Sequence, residues 1–195
     1  DANSDLDIII IDDSSPDGTG EIADQIAAAQ PRVSVLHRKE KQGLGRAYAH
    51  GFRVALERGY DRVIQMDADG SHQASDLTKL LDAKADLVIG SRWVSGGEVL
   101  NWPSHRLWIS RAGNAFARFS IGSGLRDVTA GYRNYSAQLL SKLPLEKIQA
   151  HGYGFQVEMT KLAMSEGASV VEVPISFVER EGGRSKMTLG IIVEA

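Results

Sequence analysis

The sequence has no cysteine among its 195 residues. This absence excludes a disulfide framework, a thiolate zinc site and a cysteine nucleophile, and it fits a reducing, cytoplasmic setting. The sequence also has no apolar run near the roughly 20 residues that cross a bilayer, and its opening residues show no signal-peptide pattern. We therefore expect any membrane contact to be peripheral.

An excess of positive charge is absent too, because the formal net charge at pH 7 is −3. A general nucleic-acid binder needs many cationic contacts to phosphates, so we expect no nucleic-acid partner. The charge is nevertheless uneven: six arginines and only two acidic residues lie between Ser91 and Tyr135. This local excess favours an anionic ligand, and a merely soluble surface is the alternative.

Two carboxylates follow a short apolar segment in the stretch Ile64-Gln65-Met66-Asp67-Ala68-Asp69-Gly70-Ser71. Side chains two apart in an extended strand share a face. Asp67 and Asp69 are therefore predicted to reach one hard cation at the strand's end, with the Ser71 hydroxyl close by. An Asp-rich turn after a strand is the alternative interpretation.

Apolar strands and amphipathic helices alternate over the first half of the chain. Strands are predicted at 8–11, 33–36, 62–66 and 87–89, with helices at 21–29, 44–56 and 76–83. Such alternation implies right-handed crossovers and a mainly parallel sheet, with ligands at the carboxyl ends of its strands. We therefore predict a single α/β domain, its sheet flanked by helices, with four charged side chains at that edge: Asp13, Asp67, Asp69 and Arg92.

This alternation breaks after Arg92. A helix is predicted within Trp102 to Ser120, where Arg106 and Ser110 are four residues apart and so share a face. Near the end, the stretch 179–186 is rich in glycine and basic residues. It indicates either a mobile loop that closes on phosphates or a solvated loop without that role.

A set of short motifs follows in order along the chain: Asp12-Asp13-Ser14-Ser15-Pro16-Asp17-Gly18-Thr19, Gly43-Leu44-Gly45, Asp67-Ala68-Asp69, Gly90-Ser91-Arg92, Gly131-Tyr132-Arg133, Phe155-Gln156-Val157-Glu158 and Arg180-Glu181-Gly182-Gly183-Arg184-Ser185-Lys186. From about Ile8 onward, this ordered set resembles the GT-A-fold family 2 glycosyltransferases. Within that family it is most similar to the dolichol- and polyprenol-phosphate mannose synthases, particularly the actinobacterial polyprenol type. Asp-x-Asp alone would be a weak signal, whereas the ordered set is specific.

The resemblance implies one GT-A (Rossmann-like) catalytic domain over residues 1–195. It implies inverting transfer of mannose from GDP-mannose to a polyprenyl phosphate, with Mg²⁺ or Mn²⁺ as cofactor. Asp69 and Arg92 would be central to catalysis. The remaining roles are carried over by position: Ile11 and Asp13 at the nucleoside, Asp67 and Ala68 at the nucleotide, Asp67, Asp69 and Ser71 at the metal, Arg92, Arg106 and Ser110 at the acceptor phosphate, and Arg180 and Lys186 at the donor's phosphates.

The resemblance further implies a peripheral enzyme at the cytoplasmic face of a membrane, which it would contact directly or through a membrane-protein partner. The family's usual opening strand with Pro-x-Tyr-Asn-Glu has no match here, and Ala74-Ser75 stands where Pro-Glu is usual. Two alternatives therefore stay open: another donor, such as UDP-glucose or a UDP-N-acetylhexosamine, or a nucleotide-binding module without turnover. A nucleotidylyltransferase is less favoured, because its glycine-rich opening loop is not found.

Overall fold

The computed structural model of the chain describes residues 6–148, 152 and 154–179. These residues form eight strands and six α-helices. The strands are β1 (Ile8–Asp12), β2 (Val33–His37), β3 (Arg62–Gln65), β4 (Leu87–Ser91), β5 (Glu98–Leu100), β6 (Arg133–Ser136), β7 (Val170–Pro174) and β8 (Ser176–Val178). The helices are α1 (Thr19–Ala29), α2 (Leu44–Glu57), α3 (Leu77–Asp82), α4 (Ser104–Ser120), α5 (Ala137–Lys142) and α6 (Gly154–Ser165).

The strands of the described residues form three sheets. The largest has the order β3-β6-β4-β7, while β1 pairs with β2 and β5 pairs with β8. The pairs β1/β2, β4/β7 and β5/β8 are parallel, whereas β6 runs antiparallel to both of its neighbours. The predicted α/β fold is confirmed. Its parallel pairing is interrupted by β6, and the short strands β5 and β8 are too brief to carry a periodic signal of their own.

The core lies around β4, the central strand of the largest sheet. Leu87, Val88 and Ile89 are fully buried, as a continuous apolar run in a strand with helices on both faces should be. Phe52 of α2 packs into the same core, with its ring centroid 5.2 Å from that of Tyr135 on β6. The apolar stripe of α2 therefore covers the sheet as its helical period predicts.

A buried arginine fixes the loop that precedes β6. Arg133 is fully buried, and its guanidinium donates to the carbonyls of Ala130 and Val128, each at 2.7 Å. It also donates to the hydroxyl of Thr160 on α6 at 3.0 Å. Because these bonds hold the backbone of the loop, they set the position of Asp127 at its start.

Strand β8 joins two parts of the fold that are distant in sequence. On one side Val178 N–H donates to the carbonyl of Ser71 at 3.0 Å, and Phe177 forms a bridge with His72. On the other side β8 pairs with β5, which leads into α4. The loop after β3 and the start of α4 are thereby held against one short strand.

Candidate functional site

The two predicted carboxylates lie in a loop after β3 rather than at the end of the strand. β3 ends at Gln65, so Asp67 and Asp69 lie outside the strand, and strand alternation does not set the directions of their side chains. Turn hydrogen bonds order the loop instead. Asp69 accepts from the Ser71 backbone N–H at 3.1 Å and from its hydroxyl at 2.5 Å. Gly70 has a φ of +76°, which a glycine adopts without strain.

Asp67 is held by two aromatic neighbours. Its carboxylate accepts from the Tyr48 hydroxyl at 2.7 Å, and its backbone N–H donates to Nδ1 of His72 at 3.1 Å. Burial, followed by the charge of Asp67, raises the pKa of Tyr48, so the phenol stays a donor. Burial lowers the pKa of His72 despite the nearby carboxylates, which keeps the ring neutral and its Nδ1 able to accept.

Gly131 allows close approach to the Asp67 carboxylate. A Cβ at this position would lie 3.4 Å from Asp67 Oδ2, 3.5 Å from the His72 ring and 3.7 Å from Gln156 Nε2. The motif glycine therefore borders the same small space as these three side chains. Within the described residues, Gln156 is 3% exposed and its Oε1 has no hydrogen-bond partner.

Arg92, directly after β4, forms a buried ion pair with Asp127. Its Nε and Nη2 donate to the two oxygens of Asp127 at 2.7 and 2.8 Å, and its backbone N–H donates to the same carboxylate at 3.1 Å. Asp127 is 0% exposed and Arg92 6%. Burial acts to raise the pKa of Asp127, but the Arg92 charge and its hydrogen bonds outweigh burial and hold the pKa below its ordinary value.

Aromatic rings lie close to Arg92 and Arg106. The guanidinium carbon of Arg92 lies 5.3 Å from the ring centroid of Trp93 and 5.4 Å from that of Phe177. Arg106, on the first turns of α4, stacks at 4.1 Å from the Trp102 centroid and pairs with Glu179. The apolar rings restrict water around both cations, which strengthens their interaction with anions.

Phe177 connects the carboxylate loop to this arginine cluster. Its ring meets His72 edge-on at a centroid distance of 5.4 Å, and it meets Trp102 edge-on at 5.5 Å. His72 follows Ser71 in the carboxylate loop, while Trp102 stacks on Arg106. One aromatic ring thus separates an acidic loop from a basic cluster, so both can border one ligand that carries phosphates.

The predicted nucleoside contacts lie at the end of β1. Ile11 packs on α2, where a Cβ at Gly51 would be only 2.5 Å from its Cδ1. The Asp13 carboxylate accepts from Arg38 Nη1 at 2.6 Å, in a pair that is largely buried. The Asp12 carboxylate has other partners: it accepts from the Ser15 backbone N–H at 3.3 Å and lies 3.4 Å from Nδ1 of His37.

The other predicted positions are placed as follows. Ala68 is exposed in the carboxylate loop. Ser110 is buried on the same inner face of α4 as the partly buried Arg106, which confirms that these two residues share a face. Arg180 and Lys186 lie outside the described residues. The ligand-binding roles of these residues stay predictions.

The donor chemistry of the carboxylate loop suits Mg²⁺ or Mn²⁺. Residues 6–148, 152 and 154–179 contain no group of three His, Cys, Asp or Glu side chains that could hold a metal ion. A complete protein cage is not needed, because Mg²⁺ is usually bound by one or two carboxylates together with waters and substrate phosphates. Asp67, Asp69 and the hydroxyl of Ser71 fit such a partial site.

Sequence reasoning missed three contributors to the site: Asp127, Trp102 and Phe177. Asp127 begins the stretch that runs into the Gly131-Tyr132-Arg133 motif, but its separation from Arg92 by 35 residues hides the ion pair. Phe177 lies in a strand of three residues. The sequence carries no local signal for these contacts, because each joins residues far apart in the chain.

Comparison with known proteins shows a family match and similar curated proteins. The profile of the family described as Glycosyl transferase family 2 matches residues 2–143. An undecaprenyl-phosphate mannosyltransferase of Micrococcus luteus is 55% identical, over 100% of this chain and 81% of its own length. A polyprenol monophosphomannose synthase of Mycolicibacterium smegmatis is 52% identical, over 96% of this chain and 72% of its own length.

Solved structures support the fold. Glucosyl-3-phosphoglycerate synthase of Mycobacterium tuberculosis, in complex with Mn²⁺, UDP-glucose and phosphoglyceric acid, matches with a TM-score of 0.64 at 19% identity, over 90% of this chain and 61% of that one. The same enzyme with Mg²⁺ and UDP matches with a TM-score of 0.61 at 19% identity, over 90% of this chain and 60% of that one. The chain therefore spans about three-fifths of the solved chains, and at this identity the likeness concerns the fold alone.

Proposed function

Because the chain belongs to glycosyl transferase family 2, we propose that it transfers mannose from GDP-mannose to a polyprenyl phosphate. The names of the two similar curated proteins support the lipid phosphate acceptor and the sugar. The structural observation that carries the proposal is the carboxylate loop and the arginine cluster meeting on either side of Phe177. The proposed reaction joins two phosphate-bearing molecules, so it needs the carboxylate loop and the arginine cluster in the same site.

The acceptor phosphate is already an anionic nucleophile at neutral pH, so the reaction needs no strong general base. One of its oxygens forms a bond to the anomeric carbon while the bond from that carbon to the GDP oxygen breaks. The departing diphosphate takes the electron pair, and the configuration at the carbon inverts. No proton has to move, so the protein's task is to hold two anions close together and to stabilise the charge that builds on the leaving group.

The arginines suit the first of these tasks. Arg92, fixed by Asp127, and Arg106, stacked on Trp102, present preorganised guanidinium groups, which bind phosphate through charge-assisted and often bidentate hydrogen bonds. Ser110 adds a hydroxyl on the same face of α4. In this proposal Arg92, Arg106 and Ser110 bind the acceptor phosphate, and Arg180 and Lys186 contribute to the donor's phosphates.

The carboxylate loop suits the second task. A divalent cation, when bound there, would act as a Lewis acid on the donor diphosphate. Asp69 and Ser71 would hold the ion, with Asp67 beside them, while the hydrogen bonds from Tyr48 to Asp67 and from Ser71 to Asp69 keep the carboxylates oriented. Ile11, Asp13 and Ala68 would contact the nucleoside and nucleotide.

Substitution of Asp69 by alanine tests the proposal. Asp69 is exposed and its hydrogen bonds from Ser71 are local, so Asp69→Ala should leave the melting temperature near that of the parent. Mannose transfer from radiolabelled GDP-mannose to a short polyprenyl phosphate should be lost. Asp61→Ala, an exposed acid that precedes β3, is the matched control and should retain activity. Full activity of Asp69→Ala with added metal would contradict the role of this carboxylate.

A second donor is the main alternative, because similar folds have been solved with UDP-glucose. An assay of turnover with GDP-mannose, UDP-glucose and a UDP-N-acetylhexosamine, each with and without chelator, identifies the donor. A nucleotide-binding module without turnover would bind GDP in calorimetry yet yield no product.

We place the enzyme at the cytoplasmic face of a membrane, since its proposed acceptor is a lipid. None of the helices in the described part of the chain is long and apolar enough to cross a bilayer. We propose a peripheral contact with the membrane, either direct or through a membrane-protein partner.

A further inference from the structure

A small gap lies beside Asp67, at the point where Gly131 carries no side chain. A Cβ on Gly131 would lie 3.4 Å from Asp67 Oδ2, 3.7 Å from Gln156 Nε2 and 3.5 Å from Cε1 of His72. These are ordinary van der Waals distances, so the gap has room for one heavy atom. A carboxylate oxygen and a side-chain amide border it, which makes the gap polar.

The Gln156 amide is buried against this gap with one of its atoms unpaired. The residue is 3% exposed, and within the described part of the chain its Oε1 has no hydrogen-bond partner. The start of α6 is firmly placed, because the neighbouring Phe155 is fully buried and stacks on the Tyr48 ring at a centroid distance of 5.9 Å. An unpaired amide oxygen in a protein interior is unfavourable, so we expect a ligand to complete the hydrogen bonds of Gln156.

Asp67 offers one carboxylate oxygen to the same gap. The Tyr48 hydroxyl donates to Oδ1 at 2.7 Å, whereas Oδ2 is the oxygen that borders the gap. A hydroxyl group matches these neighbours, because it can donate to Oδ2 and at the same time accept from Nε2 of Gln156. A diphosphate oxygen has no proton to donate at neutral pH, and the carboxylate would repel it.

The sheet places the gap between the two halves of the site. Strand β6 starts at Arg133, which pairs with Gln65 at the end of β3 and with Ile89 of β4. Gly131 comes two residues before this strand. The loop around Gly131 therefore lies between the carboxylate loop, which follows β3, and Arg92, which follows β4.

We propose that Gln156 and Asp67 bind one hydroxyl of the transferred sugar, in the gap that Gly131 leaves open. The nucleoside contacts are predicted at the end of β1 and the acceptor phosphate at Arg92, so the sugar lies between them. This inference rests on the proposed function and adds a specificity-determining residue to it, Gln156. A site that bonds a hydroxyl discriminates strongly against a substrate that lacks it, because the buried polar groups are then left unpaired.

Replacing Gln156 by methionine tests this role. Methionine keeps the length of the side chain but cannot donate a hydrogen bond, so Gln156→Met should lower kcat/KM for GDP-mannose by about tenfold. In calorimetry with Mg²⁺ and no acceptor, the affinity for GDP should stay that of the parent, because GDP lacks the transferred sugar. Gln138→Met replaces an exposed glutamine on α5 and is the matched control, which should leave both values unchanged.

Donors that lack one sugar hydroxyl identify the contact. Analogues of GDP-mannose deoxygenated at C2, C3, C4 or C6 are compared in the parent and in Gln156→Met. With one of these analogues the parent should lose about tenfold or more in kcat/KM, whereas Gln156→Met should use that analogue as well as GDP-mannose. A merely structural role would lower the turnover of every donor by the same factor.

Gly131→Ala fills the gap from the other side. Gly131 lies outside the left-handed region and its Cβ would make only ordinary contacts, so the melting temperature should stay near that of the parent. Because the methyl group takes the place of the sugar hydroxyl, kcat/KM for GDP-mannose should fall by about tenfold or more. The affinity for GDP should be kept.

Three results would overturn the inference. Equal kcat/KM for GDP-mannose in the parent and in Gln156→Met would show that the amide contacts no substrate. A parallel loss of GDP affinity would place the contact at the nucleotide instead of the sugar. A lower melting temperature of Gln156→Met together with equal losses for all donors would show that the gap holds only a structural water.

Failure of the proposed function gives a different pattern. If the parent uses UDP-glucose and not GDP-mannose, the proposed donor is wrong, and the same comparison is made with UDP-glucose, its deoxy analogues and UDP. If the parent turns over no donor, the proposed reaction is wrong, and calorimetry alone tests the gap. GDP-mannose should then bind more tightly than GDP to the parent but not to Gln156→Met, and an equal preference in both proteins would contradict the role of Gln156.

Discussion

The buried pair of Arg92 and Asp127 offers the sharpest test of the site's architecture. Asp127 accepts three hydrogen bonds from Arg92, two from the guanidinium and one from the backbone N–H, and a further one from the Thr129 hydroxyl at 3.1 Å. Removing the carboxylate leaves a guanidinium that is 6% exposed without this partner, beside aromatic rings. Breaking one side of a buried pair costs about 3–5 kcal/mol.

We therefore expect Asp127→Asn to lower the free energy of unfolding by about 3 kcal/mol, and Asp127→Ala by up to about 5 kcal/mol. Asparagine keeps the volume, so the first variant isolates the charge. The double variant Arg92→Met, Asp127→Leu should cost less than the sum of Arg92→Met and Asp127→Leu alone, because it leaves no unpaired charge. Donor and acceptor KM values of Asp127→Asn then report whether an unfixed Arg92 still binds phosphate.

Equilibrium unfolding in urea at pH 7, followed by circular dichroism and tryptophan fluorescence, measures these differences. Glu146→Gln is the matched control, because Glu146 is 81% exposed and lies 3.9 Å from Arg53. It should change the free energy of unfolding by less than about 1 kcal/mol. A cost for Asp127→Asn below about 1 kcal/mol, or strict additivity in the double variant, would refute the argument that this pair is tightly coupled.

Three further predictions concern single positions. Gly97→Ala should destabilise the fold by about 1–3 kcal/mol or more, since its Cβ would lie 2.5 Å from the Ser91 carbonyl oxygen. Gly113→Ala in α4, where a Cβ would meet no atom within 4 Å, should stabilise the fold by about 0.5–1 kcal/mol. Thermal melts compare the two variants. Tyr48→Phe removes the hydrogen bond to Asp67 and should cost about 1 kcal/mol while raising the KM for GDP-mannose more than it lowers kcat; an unchanged KM would contradict an orienting role. Hydrogen bonds to Asp24 and then to Asp12 raise the pKa of His37 above its ordinary value, so the stability that they add is complete below about pH 6.5 and declines as pH rises through the folded-state pKa. The difference in unfolding free energy between the parent and His37→Asn, measured in urea, should therefore shrink from pH 6 to pH 8. A difference that does not shrink would contradict the assignment.

Much of the secondary structure could be read from local patterns. The strand predicted at 87–89 is confirmed as the core of β4, and the helix predicted within Trp102 to Ser120 is α4. The shared face of Arg106 and Ser110 followed correctly from a spacing of four residues. These successes have one physical cause: side-chain direction along a regular helix or strand repeats with a fixed period, which the sequence displays directly.

The regular period of a strand could not be carried past the strand's end. The geometry of Asp67 and Asp69 was inferred from strand alternation, but β3 stops at Gln65 and turn hydrogen bonds set the carboxylates instead. The antiparallel direction of β6 was equally hidden. A strand's direction depends on how the chain returns to the sheet, and that is not encoded in the strand's own residues.

By itself, the sequence determined the motif set, the α/β alternation and the shared face of Arg106 and Ser110, because each depends on neighbours within a few positions. Only the tertiary structure decided that Asp127 holds Arg92, that Phe177 joins the acidic loop to the arginines, and that large aromatic side chains of α4 such as Trp108 and Phe119 face outward. Helical periodicity shows which residues of α4 share a face. Which side meets the core is settled by contacts between residues far apart in the chain, such as the hydrogen bonds between Asn114 and the loop that precedes β6, where Asn114 donates to the Arg126 carbonyl and accepts from the Val128 backbone N–H.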